Sequence, residues 1–237
     1  MKSKMNLKLD ETQKNLSRLE ITKLAIKSLK NQYKEAKCSL NYSSDLELLI
    51  SARLSARCTD ARVNIVTRNL FNRFKTLESF CKSEEKEIEE IIKSCGLYKT
   101  KAREIIKMCK ILKERFNSKI PDNIKELVEL PGVGRKIANL MMGEFFNKPA
   151  VIVDVHCFRI TKRIGIQNEK NAIKAEMVLK KLLPPKESCE FCHRLVMHGR
   201  VVCKSQKPLC EKCCMNFFCK TKKILVEIKN LIPKLSI

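Results

Sequence analysis

The chain has 237 residues, enough for one respectable core or two small ones sharing an interface, and its 44% apolar content excludes wholesale disorder. Forty-nine Lys and Arg against 26 Asp and Glu leave a net charge of +23, spread along the chain and not confined to a tail. That surplus calls for a polyanionic partner, nucleic acid ahead of an acidic membrane surface, with a merely lysine-rich surface as the bland alternative.

Helical periodicity dominates, and the expected class is all-α. Residues 18–35 carry Leu19, Leu24, Ile26 and Leu29 among lysines and polar residues, an amphipathic pattern. Ser44 and Asp45 can cap a helix through LELLISARLSA, and Asp60 can start ARVNIVTRNLFNRF. Ser83, followed by Glu84 and Glu85, opens a helix that should stop near Gly96, and another runs from about Lys99 to Phe116. Pro121 and Asp122 open a short one ending at Leu130, and GVG separates it from a helix beginning near Gly134. Ala150–Val153 is the one convincing extended piece; Asp154 caps a further helix, and Pro184-Pro185 break the one after it. GLYKTKAREI at 96–105 and GVGRKIANLM at 132–141 echo each other weakly, each with a lysine and an alanine after a glycine turn.

No apolar run approaches the ~18 residues of a membrane span. The early lysines lack an apolar stretch, and Asp10 and Glu11 argue against a transit peptide, so a cytoplasmic protein is expected. Thirteen cysteines, an odd count, then fit a metal better than a disulfide framework. Cys203, Cys210, Cys213 and Cys219 lie in the spacing C-x6-C-x2-C-x5-C. Four thiolates from one short segment suit an iron–sulfur cluster. Zinc is the competing metal, although its structural sites more often use two C-x2-C knuckles and only Cys210 and Cys213 form one here. Cys214 could compete as a ligand. Cys189 and Cys192 with His193 and His198 form a second potential knuckle, set against an ordinary helix over 188–202 without metal. Cys38, Cys58, Cys81, Cys95, Cys109 and Cys157 are isolated in sequence and read as small buried hydrophobes.

LPGVGRK at 130–136 reads as a tight turn between two helices, with Gly132 and Gly134 permitting backbone angles and close approach that other residues resist. Free amides at the start of the second helix, with Arg135 beside them, could take a phosphate oxygen and grip DNA without reading sequence. The plain alternative is a turn and nothing more. Lys136 falls in the first turn of that helix, where the helix dipole, Arg135 and partial burial would all disfavour an added cation. A free amine there could form an iminium with a sugar carbon; a solvent-facing lysine is the ordinary reading. Asp154 is structurally satisfied as an N-cap, yet a carboxylate held by helix amides could also stabilise a positive sugar or shuttle a proton.

Taken together these residues resemble the endonuclease III family of DNA glycosylase/AP lyases from about Asn41 to Lys222. LSARCTD at 54–60, IKSCGLYKTKA at 92–102, LPGVGRK at 130–136, VDVHCFR at 153–159, HGRVVC at 198–203 and the cysteine cluster all occur in the family's order and spacing. The resemblance implies a [4Fe–4S] cluster on Cys203, Cys210, Cys213 and Cys219. It implies a two-domain helix-hairpin-helix glycosylase fold: a six-helix domain over 38–148, and an iron–sulfur domain over 149–237 joined by an N-terminal extension and helix over 1–37. Double-stranded DNA containing damaged bases or abasic sites would lie across a cleft between them, faced by Lys136 and Asp154, with no membrane involved and a nucleoid-associated monomer expected. Leu97 would be the wedge at the flipped base, and Arg57 would fill the vacated stack.

Three positions depart from the family pattern. Arg57 stands where glutamine is usual, Val155 where threonine is usual, and Val128 where an acidic residue often precedes the hairpin leucine. The implied activity is excision of oxidised pyrimidines followed by β-elimination through a lysine Schiff base. A mismatch adenine glycosylase is the enzyme rival, but that group generally lacks the hairpin lysine and carries an extra C-terminal domain. A non-catalytic DNA-binding iron–sulfur module is the rival from another class.

Overall fold

The computed structural model describes residues 16–222, so the acidic pair Asp10 and Glu11 and the ends of the chain lie outside the described residues. Among the described residues there is no strand, as the all-α expectation requires. Two compact units emerge: residues 38–150, and the described parts of 1–37 together with 151–237.

In the second of these, α1 (Arg18–Gln32) opens at Ser17, whose hydroxyl accepts from Glu20 N while the Glu20 carboxylate accepts from Ser17 N at 2.8 Å. This reciprocal cap fixes the first turn. The predicted extension to residue 35 ends early, with Tyr33 already outside helical geometry. Thr22, Ala25 and Leu29 turn inward. With them pack α9 (Val155–Ile164), α10 (Ala172–Leu182) and α11 (Ser188–Val201): α9 lies on α11, and α1 touches both α10 and α11. The first helix among the described residues is therefore buried against helices of the chain's last third. Gly165, at φ +95°, closes α9 in the left-handed conformation that glycine tolerates best.

The 38–150 unit is built around α2 (Asp45–Leu54), whose residues Leu48 to Leu54 are all buried. A helix buried on every side belongs at the centre of a bundle. Around it lie α3 (Asp60–Arg73), α4 (Leu77–Lys82), α5 (Glu85–Ile92), α6 (Tyr98–Arg115), α7 (Ile124–Leu127) and α8 (Arg135–Leu140). α8 continues as one π-helical turn, Met141–Phe145, that also packs on α2. Val63, Leu70, Phe80, Ile88, Ile92, Ile105 and Leu112 are among the other core residues.

Several expected boundaries shift. Ser44 caps α2 and Asp60 starts α3 as expected, with Thr59 before it as the cap. α5 starts after Glu84 and ends at Ile92, short of Gly96, and α6 begins one residue before Lys99. Asn123, not Pro121 or Asp122, caps α7. Helix α4 had no counterpart in the sequence reading. Ala150–Val153 is buried and extended but pairs with no strand. No helix among the described residues is long and apolar enough to cross a membrane.

Candidate functional site

The hairpin is anchored from below. Gly132 has φ +76°, and a Cβ there would run into the Arg53 guanidinium and the Glu104 carboxylate. Those two are an ion pair, with Arg53 Nε donating to Glu104 Oε2 at 2.6 Å. Gly134 differs from expectation: its φ is −92°, ordinary for any residue, and a Cβ would meet nothing within 4 Å. It caps α8 with no side chain, so its bareness serves open space at the helix start and not internal packing.

Lys136 is the second residue of α8 and is exposed. The partial burial expected for it is absent, because α8 turns Ala138, Asn139 and Leu140 inward and Lys136 out. Its amine is therefore open to a substrate. Asp154 is half-buried at the start of α9, and its Oδ1 accepts from Cys157 N at 2.7 Å. One carboxylate oxygen is thus held while Oδ2 has no hydrogen-bond partner among the described residues.

Arg57 and Leu97 share a feature that no sequence pattern announced. Both have left-handed backbones, φ 55° and φ 61°, in residue types that rarely adopt them, and both are exposed. Leu97, 55% exposed, is also the N-cap of α6 without any side-chain cap. Conformations of this kind cost of order 1–3 kcal/mol and concentrate at functional sites. A Cβ on Gly96 would lie 3.8 Å from the Arg57 carbonyl, so the two turns are neighbours in the 38–150 unit. Val155 is 72% exposed and Val128 is 40% exposed.

In the other unit Cys203, Cys210, Cys213 and Cys219 line one cavity with Ile160, Arg163 and His198. The four thiols offer a compact all-sulfur donor set, which fits an iron–sulfur cluster. Burial and the neighbouring Cys214, Cys203 and Cys219 push the Cys213 thiol up to about 12. Cys214 does not line the cavity. The second knuckle is dispersed: Cys189 Sγ faces His193 Nε2 at 3.5 Å, Cys192 is buried beside Cys157, and His198 turns to the cavity.

Sequence reasoning missed what surrounds the thiols. Arg163 donates to Cys203 Sγ at 3.3 Å, to Lys204 O at 2.6 Å and to Ser205 O at 2.8 Å, tying α9 to the cysteine loop. Met215 N donates to Cys213 Sγ at 3.4 Å. His198 is fully buried between Tyr33 Oη, 3.0 Å from its Nδ1, and Cys213 Sγ, 3.2 Å from its Nε2. Burial alone drives its pKa down to about 4. The spacing of Tyr33, Arg163 and His198 carries no signal; only the histidine's place inside HGRVVC set it apart.

Residues 50–185 match the HhH-GPD superfamily base excision DNA repair protein family. Endonuclease III of Rickettsia prowazekii is 42% identical over 180 residues, 76% of this chain and 85% of the relative. Two solved structures, a non-covalent endonuclease III–DNA complex and a trapped endonuclease III–DNA covalent intermediate, each superpose with a TM-score of 0.85 at 36% identity. Each covers 90% of this chain and 100% of its own. An exposed hairpin lysine, an anchored aspartate and a four-thiol cavity on a chain this similar leave one conclusion: it belongs to the endonuclease III family, within the HhH-GPD superfamily of base excision DNA repair proteins.

Proposed function

We propose that the chain is a bifunctional DNA glycosylase/AP lyase of base excision repair that excises oxidised pyrimidines from duplex DNA and cleaves the abasic site by β-elimination. The observation that carries this reading is the likeness, over 90% of the chain, to an endonuclease III trapped as a covalent DNA intermediate. Lys136 is assigned as the nucleophile. Its amine bonds to the anomeric carbon as the glycosidic bond breaks and the base leaves with a proton; the C1′–O4′ bond then opens, the ring oxygen taking a proton, and a protonated Schiff base remains. That iminium draws electrons as the C2′ proton is lost and the 3′ phosphate departs; hydrolysis then frees the lysine. Asp154 stabilises the cationic sugar in the first step, using the oxygen that the helix cap leaves available.

Gly132, Gly134 and Arg135 hold the DNA backbone, the +23 charge draws the duplex in, and extrusion of a weakly paired base costs a few kcal/mol. Leu97 and Arg57 probe the stack around it. Residues 38–148 form the hairpin domain, and 149–237 with the N-terminal helix form the iron–sulfur domain. Cys203, Cys210, Cys213 and Cys219 would hold a [4Fe–4S] cluster, whose part would be to tie their loop together. The protein acts as a monomer in the cytoplasm.

The test is cleavage of duplexes carrying a panel of oxidised pyrimidines or an abasic site, with borohydride trapping. Excision, strand cleavage and a trapped adduct are expected. Lesion binding with no product and no adduct would instead favour a non-catalytic DNA-binding module.

A further inference from the structure

Two of the cysteines isolated in sequence are brought together by the fold. Cys58 directly follows Arg57, and Cys95 lies two residues before Leu97, so each thiol roots one of the two left-handed turns. A Cβ on Gly96 would lie 3.8 Å from the Arg57 carbonyl, so the adjoining residues Cys95 and Cys58 are brought side by side, each within electrostatic reach of the other. Cys58 is half-buried and reachable from solvent, whereas Cys95 is fully buried. Beneath them lies Lys101, fully buried, with its ammonium donating to Leu54 O at 2.8 Å and within electrostatic reach of both sulfurs. Its backbone N–H donates to the Leu97 carbonyl at 3.0 Å, so the same residue ties the Leu97 turn to the end of α2.

We propose that Cys58 and Cys95 are an oxidisable dithiol, a modification site at which a hydroperoxide closes a reversible disulfide between the turns carrying Arg57 and Leu97, slowing lesion excision. The effect on excision rests on the proposed function of those two residues; the disulfide does not. Cys58 is the attacking thiol, since it is the member that solvent and a peroxide can reach. Its thiolate takes the terminal oxygen of the peroxide, giving a sulfenic acid and, with one proton, water or an alcohol. The Cys95 sulfur then attacks the Cys58 sulfur, the S–O bond breaks, and hydroxide leaves as water with the Cys95 proton. Two thiols lose two electrons and two protons, and the peroxide is reduced by two electrons. Burial, followed by the neighbouring Cys58 thiol, raises Cys95 to about 11, which keeps it a thiol until its neighbour is oxidised. A disulfide here would be transient in a reducing compartment, and a dithiol reductant reverses it.

The experiment uses the full-length protein with its metal cofactor, purified anaerobically, treated with one equivalent of hydrogen peroxide, alkylated and mapped by mass spectrometry. A peptide pair joined through Cys58 and Cys95 is expected, removed by dithiothreitol. Excision from an oxidised-pyrimidine duplex should fall by roughly tenfold on oxidation and return on reduction, a modest cost for fixing two probing turns. Cys95→Ala and Cys95→Ser should each abolish both the cross-link and the peroxide effect; using two variants guards against one misfolding. Cys58 recovered as sulfinate or sulfonate with Cys95 free would overturn the proposal, as would a cross-link that leaves excision unchanged. Fully reduced parent protein inactive on both oxidised and abasic duplexes would count against the proposed function, while the cross-link map would still decide whether the disulfide forms.

Discussion

Gly132 sits so close to Arg53 that a single methyl group on it would displace the guanidinium from Glu104. The hairpin is thereby keyed to α2, the buried centre of its unit. Gly132→Ala combines that collision with a left-handed backbone and should destabilise the protein by about 1–3 kcal/mol, read from denaturant unfolding of metal-loaded protein.

Gly134→Ala should behave in the opposite way. Nothing lies within 4 Å of the added carbon and the backbone is ordinary there, so the melting temperature should hardly move. If the space is kept for a DNA phosphate, affinity for undamaged duplex should drop several-fold with a shallower salt dependence. Unchanged affinity would mean that the phosphate approaches elsewhere.

The metal assignment predicts iron and labile sulfide in cubane stoichiometry in anaerobically purified protein. Cys203→Ser, Cys210→Ser, Cys213→Ser and Cys219→Ser should each impair loading, because each removes a thiolate from the shared cavity. Cys189→Ser, Cys192→Ser and Cys214→Ser should load normally, since none of these thiols lines it. Arg163→Leu should load but lose iron faster in air, because three bonds tying α9 to the cysteine loop disappear. Zinc without sulfide would overturn the assignment.

If Arg57 enters the place of the flipped nucleotide, its planar cation can stack on or bond to the orphaned base. Arg57→Ala should then weaken binding to lesion duplex more than to undamaged duplex in titrations at matched salt. An equal loss on both would make Arg57 an ordinary phosphate contact.

What the sequence conveyed, it conveyed through local signals. Ser44 and Asp154 cap helices as their side chains suggest, and GVG marks the hairpin because Gly132 needs a positive φ. Helix α4 was legible in principle, since Thr76 and Ser79 cap each other, but six residues show too little periodicity to stand out. The pairs Cys58–Cys95, Cys157–Cys192 and His198–Cys213 join residues far apart in the chain, and no spacing rule links them. Exposure of Lys136 depends on which way a short helix is rolled, and that is set by the packing of α8 on α2.

The assignment of roles to Lys136 and Asp154 is tested by making them fail differently. Lys136→Gln keeps length and polarity but removes the amine, so borohydride-trapped adducts and strand cleavage should vanish. Lesion binding should be largely retained, because an exposed side chain can change without moving the hairpin that carries it. Asp154→Asn keeps an oxygen able to cap Cys157 N, so fold and binding should survive, while base release slows by roughly 100-fold with the loss of a positioned anionic group. On a pre-formed abasic site the Asp154→Asn defect should be much smaller, since the glycosidic bond is already broken there, whereas Lys136→Gln should be inactive on both substrates. Metal-cofactor absorbance must match the parent in each variant, so that misfolding does not pass for lost catalysis. Lys136→Gln protein that nicks abasic DNA at the parental rate would show that a different amine is the nucleophile. Equal defects of Asp154→Asn on lesion and abasic duplexes would move Asp154 from stabilising the sugar cation to holding α9 in place.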